Sequence, residues 1–241
     1  LRILLLFFFI IASALIYLST AGIETSRFNN QIISIIKNFN QDLEIELKKV
    51  KIVLDPFNLE INAKTVGPKF KIKDKSLELE SVKTKIMIDT IINNNFSLKN
   101  LDISTKSLEI GSLISFIRNF KNTPELYILE KIFKKGYLIS DVNLEFDDDG
   151  KIKENYTVKG LVKDAQIKFL KKYNIKDISF NFNFEEKKLE LVDLSFFLND
   201  TQLISKKLSI ENVDDIFLVK GLIENKKLDL ENKLLSSFLK K

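Results

Sequence analysis

Ile178-Ser179-Phe180-Asn181-Phe182-Asn183-Phe184 alternates large apolar residues with small polar ones. Successive side chains on a strand point to opposite faces, so this stretch reads as a β-strand with one apolar face and one wet face. The same period of two runs outward in both directions. Downstream come Leu189, Leu191 and Leu194, then Leu203, then Leu208 and Ile210. Upstream lie Val142, Leu144 and Phe146, which run into Asp147-Asp148-Asp149-Gly150. Asp149-Gly150 suits a hairpin turn. Glu145, Asp147, Asp149 and Gly150 also match the first half of a calcium loop, but its last ligand position is Tyr156 and not a bidentate Glu, so that match fails.

The first third of the chain carries the same texture. Leu43, Ile45 and Leu47 alternate with Glu44 and Glu46. The parity then flips at Lys48-Lys49, which predicts a bulge before Val50, Ile52 and Leu54. Asp55-Pro56 marks a turn, and Leu59, Ile61 and Ala63 the next strand. Gly67-Pro68 is a second turn. Phe70, Ile72, Leu77, Leu79, Val82, Ile86 and Ile88 follow, then a turn at Asn93-Asn94-Asn95, then Phe96, Leu98, Leu101, Ile103, Leu108 and Ile110. Short one-faced strands joined by tight turns predict an antiparallel meander. Val158-Lys159-Gly160-Leu161-Val162 returns 61 residues later as Val219-Lys220-Gly221-Leu222-Ile223, each copy with an aromatic residue two positions ahead, Tyr156 or Phe217. That echo fits a sheet built by repeating one group of strands.

Two helical stretches break the pattern. Glu24-Thr25-Ser26 reads as a helix start, followed by Phe28, Ile32, Ile35, Ile36 and Phe39 at helical spacing; residues 24–41 are expected to form an amphipathic helix. Between about 111 and 136 a helical hairpin is expected. Leu113, Phe116, Ile117 and Phe120 form its first stripe. Thr123 caps the second helix, Pro124 opens it, Lys134 and Lys135 fill its last turn, and Gly136 follows its end.

The other end of the problem is Leu1 to Ile23. From Ile3 to Ile23 there are 21 uncharged residues, and as a helix they would span about 31 Å, the thickness of a bilayer core. A secretory signal cut after Ala21 is the competing reading, because Ser19 and Ala21 have suitable size and spacing. An apolar run longer than the usual signal core of about 7–15 residues favours an uncleaved anchor at 1–23. The bulk, 42–241, is then a β-rich domain on the far side of one membrane. The chain lacks an initiator Met, and Leu234 to Leu239 do not read as a domain end, so a longer protein is expected.

Composition narrows the chemistry. Cys and His are both zero, so no Cys-His or Ser-His-Asp nucleophile can be assembled and a zinc site has no soft or imidazole ligand. Asp and Glu alternate with Lys along the strands, as on a solvated face, and no catalytic residue, metal ligand or cofactor is assigned. Net charge is +5, but Lys, Ile, Asn and Phe are the residues of AT-rich codons, so this balance is no argument for nucleic acid.

About a dozen one-faced strands must hide their apolar face. They can close into a sandwich or barrel, be covered by helices, or curl into a gutter filled by something other than protein. The helices are too few to cover them. The strand pattern leaves sandwich and gutter both open.

The order of parts adds weight to the gutter. A membrane helix, an amphipathic helix, and strands such as Leu43-Glu44-Ile45-Glu46-Leu47 and Asn58-Leu59-Glu60-Ile61-Asn62-Ala63 resemble the start of an AsmA-like bacterial envelope protein, the group that includes TamB-type and YhdP-type members. The segment from Gly111 through Lys163 is similar to the N-terminal parts of YhdP-type members. The resemblance covers nearly the whole chain and is one of architecture. It implies a mainly β (α+β) fold: an anchored, curved antiparallel sheet with a U-shaped groove and a helical hairpin insert. It also implies a place in the inner membrane with the bulk in the periplasm, and a role in phospholipid transport or outer-membrane homeostasis. Its partners would be phospholipid or another acyl-chain lipid, the inner membrane itself and envelope proteins, with no nucleic acid. Candidate groove residues are Leu43, Ile45, Leu47, Leu59, Ile61, Phe70, Ile72, Leu77, Leu79, Phe180, Phe182 and Phe184. The alternative is a non-enzymatic scaffold for envelope assembly with a closed β core.

Overall fold

A computed structural model describes residues 2–26, 29–30, 32–33, 37, 40–88, 98–120, 122–147, 151–169, 173–213 and 216–225. Its body is one antiparallel sheet of 14 strands that does not close on itself. Helix α1 (Arg2–Thr20) leads into β1 (Ile23–Thr25), β2 (Leu43–Glu46), β3 (Val50–Asp55), β4 (Glu60–Val66), β5 (Lys69–Ile72), β6 (Lys75–Met87), β7 (Leu98–Thr105) and β8 (Leu108–Glu109). Helices α2 (Ile110–Arg118) and α3 (Pro124–Ile132) follow. The chain then returns to β9 (Phe133–Glu145), β10 (Thr157–Phe169), β11 (Tyr173–Glu185), β12 (Lys188–Leu198), β13 (Thr201–Val213) and β14 (Ile216–Gly221). The main ladder runs β1-β3-β4-β6-β7-β9-β10-β11-β12-β13-β14, with β2 and β5 branching from the first half of β6 and β8 pairing with β9.

Helix α1 is apolar, unburied along its length, and long enough at about 29 Å to cross a bilayer. A signal sequence would pass the same test. Its polar groups are turned inward: the Ser19 and Thr20 hydroxyls donate to the carbonyls of Leu15 and Ile16, each at 2.7 Å, which spares them a partner outside the helix. Gly22, at φ 70, then lets the backbone turn against β3; a Cβ there would sit 2.4 Å from the Ile52 carbonyl oxygen.

Several sequence expectations are corrected. Glu24 and Thr25 belong to β1, paired with Lys51 and Val50, so no helix starts at Glu24. The local cap chemistry there loses to the unpaired edge of β3. Residues 29–30, 32–33 and 37 are helical, and Asn29 donates to the carbonyls of Leu47 and Lys48. Phe28, Ile35, Ile36 and Phe39 lie outside the described residues, as do Asn93-Asn94-Asn95, Phe96, Asp149-Gly150 and the tail from Leu228. Lys48-Lys49 is not a bulge within one strand. It links β2, which pairs with β5, to β3, which pairs with β1 and β4. Leu59 ends a turn at φ 52, with the strand starting one residue later, because the Asp55 carboxylate accepts from the amides of Phe57 and Asn58 and holds the chain in the turn. Ile88 is helical and not part of β6.

Thr123 caps α3 as read, its hydroxyl accepting from the Leu126 amide, with Pro124 in the first turn. Gly136 does not follow the helix end. Helix α3 stops at Ile132 and β9 begins at once, so Gly136 sits within β9, where a Cβ would meet Ala165 of β10 at 2.6 Å. Glycine serves close strand approach there.

The core lies under α2 and α3. Ile110, Ile114, Val162, Ala165, Ile178 and Leu194 form it, with Leu126, Phe133, Leu138, Phe180, Phe182 and Phe196 packed against it. The two helices are tied together by Glu130 of α3, whose carboxylate accepts from the Ser115 hydroxyl and the Arg118 guanidinium of α2.

Candidate functional site

The strand register lays the side chains out in rows, and one row crosses the whole sheet. Thr25, Val50, Thr65, Val82, Ile103, Val142, Val158, Phe184, Leu189, Ile210 and Val219 stand opposite one another in turn on the eleven strands of the main ladder. None is charged. The row beside it on the same face, Ile23, Ile52, Ala63, Thr84, Leu101 and Leu144, is also uncharged. The row between them points to the other face and reads Glu24, Lys51, Lys64, Lys83, Asp102 and Asn143. Alternation along each strand is thus converted by register into one continuous apolar face and one charged face.

Ten of the twelve predicted groove residues fall on this face by strand register. Leu43, Ile45, Phe70, Ile72 and Leu77 form the branch sheet, through the pairs Leu43–Ile72, Ile45–Phe70 and Phe70–Leu77. Ile45, Ile72 and Leu79 are buried there. Leu47 is half-buried in the link between β2 and β3. Ile61 stands between Leu54 and Ile86. Phe180, Phe182 and Phe184 stand opposite Val162, Gly160 and Val158. Leu47 in its link and Leu59, 65% exposed on its turn, are the two that no strand pairing places there.

The face keeps its continuity across three kinks that the sequence reading missed. Asp164 in β10, Asp177 in β11 and Asp193 in β12 have φ of 52°, 54° and 54°. At each one the apolar spacing stretches from two to three: Val162 to Ala165, Ile175 to Ile178, Leu191 to Leu194. Asp tolerates this left-handed conformation better than most residues. Register shifts fall at these places between β10 and β11 and between β11 and β12, and such bulges bend a strand and strengthen its twist. An Asp directly before the second apolar residue of a spacing of three, repeated on consecutive strands, was the available signal.

Coverage of the face is uneven. Helices α2 and α3 lie over its middle. From Val82 to Ile210 the long row is half-buried, and at its end Val219 is 62% exposed.

On the opposite face described acidic and basic side chains pair with one another. A depression of about 400 Å³ there is lined by Glu185, Glu186, Lys187, Lys188, Glu190 and Glu211 among others. Lys188 lies 2.8 Å from Glu190 and 3.7 Å from Glu211, Lys207 3.0 Å from Glu190, and Lys220 3.3 Å from Glu211. Hydrogen bonds from Lys188 and Lys207 hold the Glu190 carboxyl below its ordinary range. A carboxylate stabilised in its ionised form is the reverse of what a general acid needs. Among the described residues no cluster of three or more acidic side chains is placed to hold a metal ion.

Compared with protein-family models and with curated proteins, the chain matches none.

Proposed function

We propose that this chain is a membrane-anchored, non-enzymatic lipid-binding module of the AsmA-like type, which holds acyl chains in a groove formed by the apolar face of its sheet and contributes to phospholipid transport or outer-membrane homeostasis. In this reading α1 stays attached in the inner membrane and the sheet stands in the periplasm. The single observation that carries it is the uncharged row running from Thr25 to Val219 across an unclosed sheet whose two described covering helices reach only its middle. Such a face has to be covered, and acyl chains cover it at a gain of about 0.8 kcal/mol per buried CH₂ without needing specific polar contacts. The bulges at Asp164, Asp177 and Asp193 support curvature of the same strands.

Lipid retained by the full chain after purification in mild detergent tests the reading by native mass spectrometry. The expected result is one or more co-purified phospholipids. Ile61→Asp puts a charge on the apolar face and should strip them. Lys64→Glu changes charge on the opposite face of the same strand and should leave them. A lipid-free chain with a closed, dry core would overturn the proposal in favour of an assembly scaffold.

A further inference from the structure

The two ends of the sheet differ. Edge strand β1 has three residues and sits beside α1 through β3. Edge strand β14 has six, reading Ile216-Phe217-Leu218-Val219-Lys220-Gly221, and every one is exposed. Phe217 is 70% exposed and Val219 62%. Among the described residues nothing pairs with β14 on the side away from β13. The chain beyond Gly221 stays on the β13 side, where Glu224 bridges to Ile204 at 2.8 and 2.9 Å. A long apolar edge of this kind, without Pro or an inward charge, is a template for another strand.

The echo of β10 in β14 says what that strand must carry. In β10, Gly160 is pressed against β9, its Cβ position 2.9 Å from the Ser140 Cα, and from the other side Phe182 of β11 fills the space, 2.9 Å away. Gly160 pairs with Phe182, and Val158 with Phe184. In β14, Gly221 is pressed in the same way against β13, its Cβ position 3.0 Å from the Leu208 Cα. Among the described residues its outer side lacks the aromatic residue that β11 gives Gly160.

Strand β14 itself supplies it. Phe217 lies two residues before Val219, and Gly221 two residues after it. In an antiparallel pair of two β14 strands related by a two-fold axis at Val219, each Phe217 stands opposite the other copy's Gly221 and Val219 stands opposite Val219. Leu218 then meets Lys220 on the charged face. Because the axis passes through a residue position, the apolar face of one copy continues into that of the other. We propose that the chain forms a two-fold dimer through β14 in this register, with Phe217 of each copy covering Gly221 of the other. The pairing rests on backbone edge and side-chain fit, and it stands whether or not lipid occupies the face.

The chain has no cysteine, so single cysteines report cleanly. Directly opposed residues in an antiparallel pair alternate between close and wider spacing, so either the Val219 pair or the adjacent Leu218–Lys220 pair falls within disulfide reach. The experiment is mild oxidation of the full chain in its membranes. One arm uses Val219→Cys alone; another uses Leu218→Cys and Lys220→Cys on two differently tagged co-expressed copies. We expect dimer from at least one of these arms, at least tenfold above Leu218→Cys or Lys220→Cys expressed singly. Adding Phe217→Ala to the arm that cross-links should lower its yield at least fivefold; Phe217 is exposed in the single chain, so its own fold should be undisturbed. Dimer from Leu218→Cys alone would place the axis elsewhere and overturn the register. Equal linkage at every position, none at any, or indifference to Phe217→Ala would overturn the dimer.

Discussion

Nearly the same five residues recur at β10 and β14, all within β10 but only the first three within β14, and one copy is at the centre of the fold while the other is at its described edge. Val162 of β10 is 8% exposed beneath α2 and α3, whereas its counterpart Ile223, just past β14, is 49% exposed. The difference lies in the neighbours. Strand β10 has a strand on each side and helices above; β14 has one described neighbour and nothing described above it. Burial in this molecule is a property of position along the sheet, and the strand pattern is uniform enough to be blind to it.

The sharpest way to break that contrast is to place one charge at each site. Ile178→Asp buries a carboxylate in the core beneath the helices, where nothing compensates it. Stability should fall by more than about 4 kcal/mol, enough to lose the folded chain. Val219→Asp on the same face at the open edge should change monomer stability by under about 0.5 kcal/mol. Chemical denaturation in detergent, followed by circular dichroism of the sheet, reads both. Similar losses at the two sites would mean that the edge is covered in solution by more than the described residues supply.

Next in size is the helical cover itself. Ile114→Ala removes a side chain that is 7% exposed between α2 and the sheet, and should cost about 2–5 kcal/mol. Amide exchange should rise at Ala165 and Ile178 beneath the helices and stay unchanged in β13 beyond Leu208. Uniform loosening would make the sheet one cooperative unit that the helices merely decorate.

The two glycines give a finer comparison. At Gly160 an added Cβ would stand 2.2 Å from the Ile139 carbonyl oxygen, with strands fixed on both sides, so Gly160→Ala should cost about 1–3 kcal/mol. At Gly221 the nearest atom is the Lys207 carbonyl oxygen at 2.8 Å, and among the described residues no strand pairs with β14 on its outer side. There the same substitution should cost less than half as much in the monomer, measured as the shift of the denaturation midpoint. Equal costs would show that β14 is held from its outer side.

Most of the sheet was legible because period-two alternation is a direct consequence of strand geometry. Phe180, Phe182 and Phe184 needed no tertiary information to be placed on one face. What failed was local signal overruled by pairing. Glu24-Thr25-Ser26 has helix-cap chemistry, but β3 offers its edge and Glu24 and Thr25 join it. Leu59 fits the alternation, yet Asp55 claims the preceding amides for a turn. Gly136 has the composition of a helix stop, and its real constraint is Ala165, far away in sequence. The branching at β6 was out of reach for a different reason. Lys48-Lys49 flips parity equally well as a bulge or as a link between strands, and only the partners decide. Continuity of the apolar face was legible in kind but not in register, since Asp164, Asp177 and Asp193 each skip one residue to keep it.

The smallest effect concerns the tie between the two helices that cover the centre. Glu130 holds α3 to α2, and its carboxyl lies below the ordinary range because the Ser115 hydroxyl donates to it and Arg118 stands beside it. A carboxylate whose folded value is depressed contributes stability that is fully present above the unfolded value and is lost as pH falls through the folded one. Glu130→Gln should therefore lower the melting temperature slightly at pH 7. The gap from the natural chain should shrink as pH falls below the ordinary Glu range and close once the folded carboxyl, whose value is depressed, also takes up its proton. The site is a quarter exposed, so screening keeps the gap small, and added salt should shrink it further. Amide exchange again localises the change. If Glu130→Gln loosens Ala165 and Ile178 at neutral pH while leaving β13 alone, the helices owe part of their hold on the centre to this one carboxylate. If it loosens neither, apolar contact through Ile110, Ile114 and Leu126 is sufficient to hold them, and the contrast between centre and edge is independent of pH.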